Sequence, residues 1–125
     1  MLLSLPALLF ALALHLPAGP PAAAVLSGHL DHAPAGDTVL LEYIGHYGRR
    51  RAAKAALSPT GDFRLTVPDL AKPVNMQFNY AGQRTDLHLS PGDDLRLTLD
   101  FSKFDETLAY TGRGADANNY LARSL

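Results

Sequence analysis

Cysteine is absent from all 125 residues, and that absence excludes more chemistry than any other feature of the composition. Without a thiolate the chain has no thiol nucleophile, no Cys-ligated zinc, no iron–sulfur cluster and no lipid carried on a Cys. No disulfide can staple the fold, so packing alone must hold it. An excess of one charge is lacking too: 11 basic and 12 acidic residues leave a net charge of -1. Such a balance offers no field to attract nucleic acid or an anionic membrane surface, and neither is expected as a partner.

Also missing is an apolar run long enough to span a bilayer. Residues 2–16 carry no charge, but a spanning helix takes about 20 apolar residues. The length fits the apolar region of a signal peptide. Pro17, Gly19, Pro20 and Pro21 break it, and Ala22-Ala23-Ala24 supplies the small-x-small pattern for cleavage. Residues 1–24 are therefore read as a signal peptide cut after Ala24, give or take two residues. No Lys or Arg precedes the apolar run, so the amino terminus supplies the positive charge at that end. The competing reading, a buried N-terminal helix, does not survive the proline break. The expected compartment is the periplasm or another extracytoplasmic space.

What is present from Val25 onward is short strands and turns. Thr38 to Ile44 is rich in β-branched and aliphatic residues. Phe63, Leu65 and Val67 alternate with Asp62, Arg64 and Thr66, and Leu95, Leu97 and Leu99 with Asp94, Arg96, Thr98 and Asp100. Period two places one face in a core and the other in water. Met76, Phe78 and Tyr80 repeat the pattern, as do Leu87 and Leu89. Ser58-Pro59-Thr60-Gly61-Asp62, Ala81-Gly82-Gln83 and Ser90-Pro91-Gly92-Asp93 have turn chemistry. Ala52 to Leu57 has helical composition but too little room for a stable helix.

The expected fold is mainly β: a small antiparallel β-sandwich over 25–112 with a short C-terminal helix. Residues 113–125 are read as the start of a helical linker toward a further domain. In that helix Tyr120, Leu121 and Leu125 are the apolar contacts, and no Gly, Asn or Pro caps its end. A helix this short is expected to fray unless it docks.

Candidate chemistry is thin. His29-Leu30-Asp31-His32 has the residue types of a metal site, yet strand positions three apart point to opposite faces, so convergence needs a bulge or turn. His46 sits in a Gly-flanked loop, and His88 alternates with buried leucines and faces solvent. Neither has a Ser or Asp in triad order. Arg49-Arg50-Arg51 with Lys54 reads as a solvated hairpin tip, the alternative being a docking patch for an acidic surface or a phosphate. Asp62, Asp93 and Asp94 belong to turns, where carboxylates accept backbone N–H bonds. Gly112-Arg113-Gly114 has the look of a phosphate loop but is read as a strand-to-helix turn, with Gly114 or Thr111 making the corner. No catalytic, cofactor-binding or metal-binding residue is assigned.

Several of these segments together resemble one family. They are Gly28; Gly36-Asp37-Thr38-Val39-Leu40-Leu41; Thr60-Gly61-Asp62-Phe63; Leu89-Ser90-Pro91-Gly92-Asp93-Asp94-Leu95; and Thr111-Gly112-Arg113-Gly114-Ala115-Asp116-Ala117-Asn118-Asn119-Tyr120-Leu121. The chain resembles the β-rich N-terminal domain of exported TlpA/ResA-like thiol–disulfide oxidoreductases of the AhpC/TSA superfamily in Gram-negative bacteria. The resemblance implies a β-sandwich module without catalysis of its own, whose partner is a following thioredoxin domain carrying the Cys-x-x-Cys site. No such site lies in this sequence, and no cofactor is implied. The chain is then an accessory domain, present as a fragment or a stand-alone copy. The alternative is an independent extracytoplasmic module that binds a peptide, glycan or partner protein.

Overall fold

Alternation of apolar and polar residues along short runs yields two four-stranded sheets packed face to face. The computed structural model describes residues 21–45 and 48–124, with the side chain of Arg49 outside the description. The expected signal peptide, apart from residues 21–24, lies outside these residues, as do His46 and Leu125. The strands are β1 (Ala22–Asp31), β2 (Thr38–Gly45), β3 (Gly48–Ala56), β4 (Asp62–Leu70), β5 (Val74–Tyr80), β6 (Gln83–Leu89), β7 (Asp94–Asp100) and β8 (Ala109–Arg113). A 3-10 turn (Phe101–Lys103) and helix α1 (Phe104–Thr107) join β7 to β8, and helix α2 (Ala115–Arg123) follows. One sheet has the order β4-β1-β7-β8 and the other β3-β2-β5-β6. The expected mainly-β sandwich with one short C-terminal helix is the observed architecture. Among the described residues no helix is long and apolar enough to cross a membrane.

The alternating residues face the core as their period requires. Leu65, Leu95 and Leu97 from one sheet are buried against Leu41, Met76, Phe78, Leu87 and Leu89 from the other. At about 25 cal/mol per Å² of apolar surface, this shared layer is the main stabilising term in a chain with no cross-links. Gly28 in β1 is a packing requirement. A Cβ there would stand 2.0 Å from the Leu97 carbonyl oxygen and 2.9 Å from the Phe63 ring. Phe63 crosses the strand where a side chain would be.

Two expectations need correction. The sandwich is not wholly antiparallel: β1 and β7 pair in parallel, Val25 opposite Asp94 through Asp31 opposite Asp100. Parallel strands need a long crossover, and here the chain builds the other sheet and β4 before returning. Turn chemistry signals only neighbours joined by tight turns, so this pair leaves no local mark. The arginine run is also not a hairpin tip. Arg50 and Arg51 lie within β3, with Arg50 opposite Tyr43 in the ladder and its guanidinium 5.0 Å from that ring's centre. The ring's negative face holds the cation.

Candidate functional site

The most developed polar arrangement lies where the two sheets end side by side. An edge strand leaves a row of N–H and C=O groups without ladder partners. Strands β6 and β8 are the last in their sheets, and α2 packs against both. The side chain of Asn118 meets His88 of β6: its Oδ1 accepts the His88 N–H at 2.7 Å and its Nδ2 donates to the His88 C=O at 2.7 Å. Asn119 does the same on β8. Its Oδ1 accepts the Tyr110 N–H at 2.9 Å and its Nδ2 donates to the Tyr110 C=O at 2.8 Å. A carboxamide carries the same donor and acceptor as a peptide group, so each asparagine pairs as a residue of a neighbouring strand would. Consecutive helical residues diverge by about 100°, which lets two adjacent side chains reach two strands in different sheets.

The corner that starts α2 is equally specific. Gly114 has φ 101°, and a Cβ there would stand 2.6 Å from Oδ2 of Asp93. Asp93 is buried, its Oδ2 accepts the Ser90 N–H at 2.9 Å, and its C=O accepts the Val25 N–H at 2.9 Å. Arg113 donates to the Gly92 carbonyl at 2.9 Å, and Asn118 Nδ2 also donates to the Gly114 carbonyl at 2.9 Å. The two most distinctive sequence segments, Ser90-Pro91-Gly92-Asp93 and 111–121, therefore form one corner. Gly114 makes the strand-to-helix turn as expected, and Asp93 accepts a turn N–H as expected.

The helix differs from its sequence reading. It docks, and it does so mainly through amides. Asn118 is buried to 1 % exposure while Tyr120, counted as an apolar contact, is 77 % exposed. Leu121, Ala122 and Ala115 are half-buried. Its end is capped by Ser124, whose N–H bonds the carbonyls of Tyr120 and Leu121 at 3.2 Å and whose hydroxyl donates to Leu121 at 2.8 Å. Fraying for want of contacts does not follow from this geometry. A sequence signal existed: two adjacent asparagines inside a helix are poor helix formers, and they need another reason to be there.

The histidines do not converge. His29 Nδ1 lies 3.0 Å from Asp62 Oδ1, whereas His32, turned by a φ of 57°, has Nδ1 3.1 Å from Asp100 Oδ1. Asp31, His32 and Asp100 offer donor atoms within 4.8 Å of one another, with Asp31 and His32 exposed. Asp100 is also held by the N–H and hydroxyl of Ser102, at 3.0 and 2.6 Å. Those Ser102 bonds, then His32, hold its carboxyl below the ordinary range. Asp62 is likewise held low, first by the Thr60 hydroxyl at 2.7 Å and then by His29. Asp31, His32, Ser58 and Thr60 line a cleft of about 210 Å³ at this end of the sandwich, together with Leu30 and Leu57. His88 is half-buried, its Nδ1 3.0 Å from Asn75 Oδ1. Among the described residues no serine hydroxyl bonds a histidine. The site residues thus divide into the α2 corner, where the turn roles of Gly114 and Asp93 are legible in the sequence and those of Asn118 and Asn119 are not, and an exposed polar cleft at the His32 end. Set beside protein-family models, curated proteins and solved structures, the chain matches none of them.

Proposed function

We propose that this chain is a non-catalytic accessory domain of an exported thioredoxin-like thiol–disulfide oxidoreductase, in which α2 sets the orientation of the redox domain. The observation that carries this reading is the fastening of one short helix to both sheets by Asn118 and Asn119. A helix tied to two strands in different sheets is restrained from swinging, so whatever it leads to inherits a preferred direction. The sequence likeness to TlpA/ResA-like proteins supplies the identity of that domain, and the apolar segment 2–16 supplies export to the periplasm. With no cysteine, thiol exchange belongs to the other domain. The test is to read the gene past the Leu125 codon in all three frames. A Cys-x-x-Cys within a strand–helix pattern is expected; its absence from every frame overturns the reading.

A second reading is an extracytoplasmic binding module. The observation favouring it is the cleft lined by Asp31, His32, Ser58 and Thr60, whose exposed polar groups suit a peptide or glycan. Chemical-shift titration with short peptides and oligosaccharides distinguishes the two. Shifts confined to His32 and Thr60 favour the module, and unchanged spectra remove it.

A further inference from the structure

We propose that β6 is a self-pairing edge, and that α2 keeps it from joining β6 of a second copy of this chain. This goes beyond the accessory-domain reading and does not depend on it. The four edge strands are β3, β4, β6 and β8, and three of them are unsuited to pairing with themselves. Edge β3 carries exposed Arg50, Arg51 and Lys54, like charges that repel their own copies. Edge β4 is interrupted by Pro68, which has no N–H to give. Edge β8 is five residues long and holds Gly112 at φ 87°.

Edge β6 differs. Its seven residues contain neither Pro nor Gly. His88 turns its N–H and C=O away from β5, since Asn118 receives them, so Asp86 and Arg84 turn theirs to the same open side. Arg84 and Asp86 are exposed and share one face of the strand. Set antiparallel to itself about Thr85, β6 places Arg84 opposite Asp86 of the second copy and Asp86 opposite its Arg84. Both cross-strand pairs are of opposite charge, the arrangement that favours pairing. In this register the Ala81–Gly82 turn of the second copy lies opposite His88. Helix α2 fills that space, held there by Asn118. The guard is thus steric, and its lock is one side-chain amide on β6.

The test is sedimentation of Asn118→Ala, which frees α2 from β6 while Asn119 still holds it to β8. Wild type is expected to be monomeric, and Asn118→Ala to form a dimer whose population rises with concentration. Adding Arg84→Asp should restore the monomer, and the swap Arg84→Asp with Asp86→Arg should restore the dimer. A folded Asn118→Ala protein that stays monomeric overturns the proposal, as does a dimer indifferent to Arg84→Asp. A second measurement stands if Asn118→Ala loses its β-type circular dichroism. The chain has no cysteine, and Thr85 meets Thr85 of the second copy at about 4.5 Å between Cα atoms, within disulfide reach. Thr85→Cys in the otherwise wild-type chain should then form a covalent dimer slowly under mild oxidant, through transient opening of α2. No covalent dimer under those conditions overturns the proposal.

Discussion

Asn118 and His88 are joined by two hydrogen bonds, each 2.7 Å, that run in opposite directions between a side-chain amide and a backbone peptide. The pair reproduces one rung of an antiparallel ladder, with a helix standing where a strand would be. Asn119 repeats the device on Tyr110, so one turn of helix finishes two sheets. This explains how a helix with little apolar burial stays in place. Backbone ordering costs about 1–2 kcal/mol per residue, and exposed charges near helix ends return only a few tenths. Four amide bonds at shielded strand edges are the specific contacts that fasten it to the two sheets.

Removal of one of these amides should therefore be costly. Asn119→Ala leaves the Tyr110 N–H and C=O without partners under the helix, and an orphaned shielded group costs about 1–3 kcal/mol. The expected loss is about 2–3 kcal/mol, read as a lower urea midpoint at micromolar protein. Asn119→Asp keeps the acceptor for the N–H but places an anion against the carbonyl, and should be no better than alanine. A midpoint within error of wild type for both variants would show that α2 is held by something else.

Alkaline pH should unfold the protein through Tyr110. Its phenol is buried with no hydrogen-bond partner among the described residues, and burial, then Asp86, raises its pKa above the ordinary tyrosine value. A folded pKa raised above the unfolded one leaves stability intact below the unfolded value, about 10, and drains it as pH climbs toward the folded value. Tyr110→Phe should abolish that alkaline loss and cost nothing at pH 7, since the hydroxyl makes no bond there. Urea midpoints at pH 7 and 10.5 for both proteins are the check. Acid works in the opposite sense. Asp62 and Asp100, held low by hydroxyl and histidine bonds, favour the fold above about pH 4, and that contribution fades as pH falls through their lowered values.

The β5–β6 turn offers a gain. Ala81 and Gly82 form a two-residue connection with φ of 48° and 83°, the geometry of a type I′ turn, for which Asn-Gly is preferred. A Cβ-bearing alanine is strained there, whereas asparagine tolerates the left-handed region. Ala81→Asn should stabilise by about 0.5–1 kcal/mol, raising Tm by about 2–8 °C for a domain of this size. A calorimetric Tm unchanged or lowered would contradict this.

The sequence carried the strands because each buried run keeps period two, as in Phe63, Leu65 and Val67, and because turns such as Ser90 to Asp93 have residues that fix φ. It did not carry the parallel pairing of β1 with β7, which joins segments about 70 residues apart and has no local signature. The α2 corner was half visible. Gly114 reads as a turn, but its contact with Asp93 leaves no local mark, and the two asparagines carry no apolar pattern. Periodicity reports apolar faces; it is silent where a helix docks by hydrogen bonds. Tyr120, the largest side chain of α2, departs from expectation for that reason: size suggests burial, but the docking face belongs to Asn118.

Strand β1 bears on the expected cleavage point. It begins at Ala22, three residues before Val25, and those residues are engaged. Ala24 is fully buried opposite Val67, Ala22 pairs with Leu70, and the Ala23 carbonyl accepts the Gly92 N–H at 3.1 Å. Gly92 belongs to the turn on which Asp93 and Gly114 meet, so the start of β1 and the start of α2 share one support. A chain begun at Val25 loses the Ala24 methyl from the core, the pairing of Ala22 and Ala24 with β4, and one turn hydrogen bond. It should be less stable than a chain begun at Pro21 by about 1–2 kcal/mol. It should also show faster amide exchange at Gly92 and along 115–119, because the corner under α2 is loosened. Urea denaturation and hydrogen exchange of the two chains give the comparison. Equal midpoints with equal exchange at Gly92 would mean that the three alanines add nothing to the fold and that β1 is complete from Val25.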